Sequence, residues 1–107
     1  MQQNLEICIL KLDENVLKRF EFNVNGGTLF LYNASVKSFW FGNKSAFRLL
    51  NMLDGVSSVE HICCSYSKLY PELDFEDIKS SIITLFEDLL LKKFLKIVVA
   101  EDVNECI

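Results

Sequence analysis

The stretch NKSAFRLLNMLDGVSSVEHIC, residues 43–63, decides the fold. Asn43 is a good helix cap, and Ala46, Phe47, Leu50 and Leu53 recur at helical spacing until Asp54-Gly55 stops the turn. Ser57 or Ser58 then caps a second helix, in which Val59, Ile62, Tyr66 and Leu69 face one way. Ser57 with Glu60 has the spacing of a capping box, and Ser58 competes for the same role. Tyr70-Pro71 ends this helix, because the residue before a proline disfavours the helical region. Helix, tight turn, helix is how many DNA readers begin. Yet this chain carries a net charge of −4.

Upstream, RFEFNV at 19–24 alternates strictly, with Phe20, Phe22 and Val24 on one face and Arg19, Glu21 and Asn23 on the other. Period two predicts a half-buried strand. Asn25-Gly26-Gly27 tolerates positive φ, and TLFLYN at 28–33 follows as the second arm of a hairpin. After Asn33-Ala34-Ser35, VKSFWF at 36–41 forms a third strand, with Phe39 and Phe41 on one face and Trp40 on the other. Whether LEICILKL at 5–12 adds another strand is left open by its pattern.

Downstream, Asp74 caps the third and longest helix, FEDIKSSIITLFEDLLLKKF. Glu76 and Asp77 suit its positive N-terminal end, and Lys92 and Lys93 its C-terminal end. LKIVVA at 95–100 reads as a closing strand, and EDVNECI as a frayed tail with apolar residues that leave room for docking. The expected fold is α+β and winged helix-turn-helix-like: three N-terminal strands, three helices and a short C-terminal strand in a single domain, 1–107.

Half of the 107 residues are hydrophobic and nine are Phe, which predicts a dense core, or a core plus an apolar surface for a partner. No apolar run is long enough to span a bilayer, and MQQNLEICILKLDEN lacks both the basic flank and the cleavage site of a signal peptide. A cytoplasmic chain that does not engage membrane is the expectation. Cys8, Cys63, Cys64 and Cys106 include no CxxC, and adjacent cysteines on a helix point apart, so reduced structural thiols are expected. His61 is the only histidine. No nucleophile–base pair, phosphate-cradling glycine loop or metal-ligand spacing occurs. These features predict neither catalysis nor a cofactor.

The third helix weighs against nucleic acid. A DNA-reading helix presents Arg, Lys, Asn and Gln to bases and phosphates. This one opens with Glu76 and Asp77 and offers only Lys79 before its last turn, in a chain with 11 Lys and Arg against 15 Asp and Glu. At about 100° per residue, Ile78, Ile82, Leu85 and Leu89 form one compact stripe, with Phe86 at its margin. Ile83, Leu90 and Phe94 widen the apolar arc beyond what a surface helix needs. Either the hairpin layer covers the extra stripe, or it borders a groove open to a partner. The third strand makes a similar offer: a long apolar strand at a sheet edge is an aggregation hazard unless something covers it, and an incoming peptide does so by backbone pairing. A DNA-binding regulator and a subunit that self-associates through this strand are the competing readings.

The series FGNKSAFRLLNMLDGVSSVEHIC resembles the central signature of PqqD-like proteins, the recognition elements for ribosomally made, post-translationally modified peptides (RiPPs). The matching features are Asn43, Ser45-Ala46, Leu50 and Leu53, Asp54-Gly55, and Ser58-Val59-Glu60-His61-Ile62, with the hairpin and FEDIKSSIITLFEDLLLKKFLKI in the right order over roughly residues 16–98. One departure is Phe41-Gly42, where a Leu commonly precedes the Asn. The resemblance implies a non-catalytic peptide chaperone, either monomer or homodimer. It binds the leader of a precursor peptide as a strand added to the third strand, then presents it to a modifying enzyme, often a radical S-adenosylmethionine maturase. Carried onto this chain, the peptide-binding residues are Val36, Lys37, Ser38, Phe39, Trp40 and Phe41 for the ladder, and Lys79, Ile82, Ile83, Phe86 and Leu90 for the groove wall. Lys79 is then either a partner for an acidic leader residue or simply a solvated helix charge.

Overall fold

The computed structural model describes residues 5–98. A 3-10 turn at Leu5–Ile7 leads into β1 (Leu10–Leu12), followed by β2 (Val16–Glu21), β3 (Thr28–Asn33) and β4 (Ser38–Gly42). The helices are α1 (Lys44–Leu50), α2 (Val59–Ser67) and α3 (Phe75–Leu91), and β5 (Leu95–Ile97) closes the described chain. The architecture is thus α+β as expected: a three-stranded antiparallel sheet in the order β2-β3-β4, then helices, then a C-terminal strand. A second, two-stranded sheet pairs β1 with β5.

The open question over residues 5–12 resolves into a 3-10 turn and a short strand, in the register Leu10↔Ile97, Lys11↔Lys96, Leu12↔Leu95. Lys11 and Lys96 face each other as like charges, and Glu14 offsets them by pairing with Lys96 at 2.8 Å. The N-terminal segment is also stitched to the start of α2, where the Val59 N–H donates to the Cys8 carbonyl at 2.9 Å.

The hairpin is displaced from its expected start. β2 ends at Glu21, so Phe22 and Val24 lie in the turn, and Phe22 is 72% exposed. Asn25, Gly26 and Gly27 all take positive φ there, as their composition anticipates. The third expected strand also starts late. Val36 and Lys37 belong to the preceding turn, with Lys37 at φ 56°, and regular pairing begins at Ser38. Asn33 causes this: its buried side chain accepts from the Ser35 and Val36 N–H groups and donates to the Lys93 carbonyl just beyond α3. One amide therefore ties the β3–β4 turn to the end of α3.

The helix caps follow local chemistry. Asn43 accepts from the Ala46 N–H at 2.9 Å, and Asp74 from the Asp77 N–H at 3.1 Å. Ser58, rather than Ser57, caps α2, accepting from the His61 N–H at 3.2 Å. α1 stops at Leu50, earlier than Asp54-Gly55 suggests. Asp54 instead organises the turn, accepting from the Val56 and Ser57 N–H groups and from the Ser57 hydroxyl. These bonds hold its carboxyl below the usual range.

The core joins Leu29 and Leu31 of β3 to Leu49 and Leu50 of α1, Val59 and Ile62 of α2, and Ile78, Ile82, Phe86 and Leu89 of α3. α1 packs on β3 and β4, and its Phe47 ring reaches β2, where it stacks on Phe20 with ring centroids 4.1 Å apart. No described helix is long and apolar enough to cross a membrane.

Candidate functional site

β4 lies at one edge of its sheet, with β3 on one side and no paired strand on the other among the described residues. In such a strand alternate residues point their N–H and C=O groups outward, unpaired. Beside this edge, between β4 and α3, runs a groove of about 620 Å³. Trp40, Phe41 and Gly42 of β4 form one wall, and Ile78, Ser81, Ile82 and Leu85 of α3 form the other. Asn43, Ser45, Ala46, Leu49, Tyr66 and Leu73 complete the lining, with Asp74 and Asp77 at the α3 N-terminal end.

The sheet register decides which side chains enter. Trp40 stands opposite buried Leu31, on the helix-covered face, and packs against the core. Phe39 and Phe41 stand opposite Tyr32 and Phe30 on the outer face, as the alternation predicts. The two residues are 65% and 59% exposed. Phe41 therefore borders the groove from the strand edge while its ring leans on Phe30, centroids 5.2 Å apart. Trp40 enters the groove because residue 42 is glycine; a β-carbon there would stand 2.5 Å from the indole.

The helix wall differs from the sequence expectation. Phe86 is wholly buried and belongs to the core, so it forms no part of an open wall. Leu85, assigned above to the core stripe, is only half-buried and lines the groove. Phe86 thus points fully inward, and Leu85 packs against the core from the groove side. Of the five helix positions expected at the groove, Ile82 alone lines it. Ile83 and Leu90 are half-buried and pack against the core, outside the groove lining.

Lys79 is likewise displaced. Its ammonium lies 2.9 Å from Glu6, which belongs to the 3-10 turn packed near α2, and this hydrogen bond raises its pKa. The groove end nearest the start of α3 is consequently acidic, through Asp74 and Asp77, and holds no lysine among its lining residues. An acidic leader residue would find no cation there.

On the opposite wall Tyr66 contacts Tyr70, ring centroids 5.1 Å apart, and Arg48 donates to the Tyr70 hydroxyl at 2.7 Å. Burial pushes the Tyr66 phenol up. Cys63 is buried against the core and its thiol is pushed up to about 11, whereas adjacent Cys64 is exposed. That divergence suits separate thiols rather than a shared ligand set. Among the described residues, no group of three or more His, Cys, Asp or Glu side chains is placed to hold a metal.

The groove residues missed from sequence were Gly42, Asn43, Ser45, Ala46, Leu49, Tyr66, Leu73, Asp74, Asp77, Ile78, Ser81 and Leu85. Several share a row at three- and four-residue steps along α3, which flags a continuous helix flank. Which flank meets the strand depends on packing.

No family model and no curated protein matches this chain. Among solved structures, it is similar to TbiB1 in complex with the TbiA(beta) leader peptide, with a TM-score of 0.67 at 13% identity, over 84% of this chain and 99% of that chain. The two chains share a fold.

Proposed function

We propose that this protein binds the leader segment of a ribosomally synthesised precursor peptide by strand addition to β4, and presents it to a peptide-modifying enzyme. The observation that carries this reading is the unpaired β4 edge running beside an apolar groove of about 620 Å³. Ser38 to Phe41 supply backbone groups for the ladder, which bind any sequence. Trp40, Ile78, Ile82 and Leu85 receive alternate leader side chains, which gives selectivity.

The motif resemblance and the shared fold with TbiB1, solved with a leader peptide, support the same ligand class. The protein's contribution is tethering: a bound leader raises the effective concentration of the remaining peptide at the enzyme. The partner is a radical S-adenosylmethionine maturase or another peptide-modifying enzyme, and this chain itself performs no chemistry. The acidic groove end disfavours nucleic acid, whose binding requires several cations on one face.

The test is a fluorescence titration of Trp40 with synthetic peptides of about 12 residues carrying alternating apolar side chains, long enough to pair along β4. A duplex of about 20 base pairs at low salt serves as control. A saturable change with peptide alone, lost in folded Leu85→Asp protein, is expected. A salt-sensitive response to the duplex, with none to the peptide, would overturn the proposal.

A further inference from the structure

We infer that, given strand addition at β4 as proposed above, the docked peptide is read on both faces, and that Phe39 and Phe41 select aromatic or β-branched residues at the leader positions pointing away from the groove.

A strand added to β4 continues the pleat of the sheet. Its alternate side chains point into the groove, and the intervening ones stand on the outer face beside Phe39 and Phe41. Directly opposed residues in an antiparallel pair have β-carbons about 4.5–5.5 Å apart, close enough for ring contact. The outer face is already a ladder of such contacts: Phe39 lies against Tyr32 at 4.6 Å, Phe41 against Phe30 at 5.2 Å, and Phe39 is stacked with Phe41 at 6.3 Å. Phe30 and Tyr32 are half-buried by these neighbours. Phe39 and Phe41 remain 65% and 59% exposed, with no paired strand beyond them. The ladder stops where an incoming strand would extend it.

The opposite edge of the same sheet is built otherwise. β2 carries Lys18, Arg19 and Glu21 within six residues, charges that guard an edge against pairing. β4, with the sequence SFWFG, carries none. Its outer rings would be a liability on a strand meant to stay bare. Covered by a peptide strand, they become contact area on the side that the groove leaves unread.

A displayed library of random peptides of about 12 residues, longer than β4 itself, tests this. It is selected in parallel on the wild-type protein, on Phe39→Ser/Phe41→Ser and on Leu85→Asp. Circular dichroism checks that each variant is folded. Wild-type selection is expected to enrich apolar residues at two interleaved sets of alternate positions. The double variant should keep one set, lose the aromatic and β-branched residues of the other, and bind wild-type winners at least tenfold more weakly. Leu85→Asp should lose the opposite set. Winners that depend on Leu85 but show random outward positions, and bind the double variant equally well, would overturn two-faced reading and leave strand addition standing. Absence of any β4-dependent winner would overturn both. A wild-type dimer in light scattering, dissociated by Phe39→Lys and unaffected by selected peptides, would assign the rings to a second copy and overturn the inference.

Discussion

The Trp40 indole lies over Gly42, so that a β-carbon at position 42 would stand 2.5 Å from its Cζ3 atom and 3.0 Å from the Ala46 β-carbon. Trp40, two residues back on the same face of β4, fills the space that a side chain at position 42 would take. Glycine at 42 is required by close approach rather than by backbone angle.

Gly42→Ala should therefore displace the indole and destabilise the fold by about 1–2 kcal/mol, a typical cost of overpacking. The displaced ring should show red-shifted emission and altered near-ultraviolet dichroism. Unchanged spectra would mean that Ala46 yields instead of Trp40.

Leu85 and Phe86 separate groove from core. Leu85→Asp should cost only about 1 kcal/mol of stability, yet weaken leader binding at least tenfold. Phe86→Ala should cost about 3–5 kcal/mol by opening a cavity, as seen in urea denaturation, with peptide affinity reduced only through loss of folded protein. The reverse pattern would restore Phe86 to the groove wall.

Much of the fold was legible because it rests on local chemistry. Asn43 and Asp74 cap the helices they were expected to cap, and Asn25-Gly26-Gly27 turns the hairpin. One error was local: Asn33, three residues before Val36, claims the Ser35 and Val36 N–H groups in a turn and delays the strand. The others arise where long-range contacts decide. Residues 10–12 become a strand only because β5, more than eighty residues away, pairs with them. The strand side of the candidate site was similarly readable, since alternation separates Trp40 from Phe39 and Phe41. The helix side was not: a wheel shows an apolar arc, but the packed partners choose its centre, and Glu6 draws Lys79 out of the site.

Lys79→Met should remove the half-buried pair with Glu6 and leave leader affinity within about twofold, because Lys79 lies outside the groove lining. Isothermal titration of both proteins checks this. A large loss of affinity would return Lys79 to leader contact.

The Asp54 carboxyl is held below its ordinary range by N–H groups that favour the ionised form. Its stabilising effect should thus be complete above its unfolded pKa and disappear as pH falls through the lower folded value. Asp54→Ala should lower Tm at pH 7, and the gap from wild type should narrow in acid. A gap independent of pH would mean that ionisation of this carboxyl is immaterial to the turn.

The most direct measurement is amide hydrogen exchange, resolved by residue across Ser38–Gly42, with and without a peptide selected on the wild-type protein from the displayed library. Strand addition predicts that alternate β4 amides, exposed in the free protein, become strongly protected, while β2 exchange is unchanged. Saturable binding that leaves every β4 amide as it was would contradict the account.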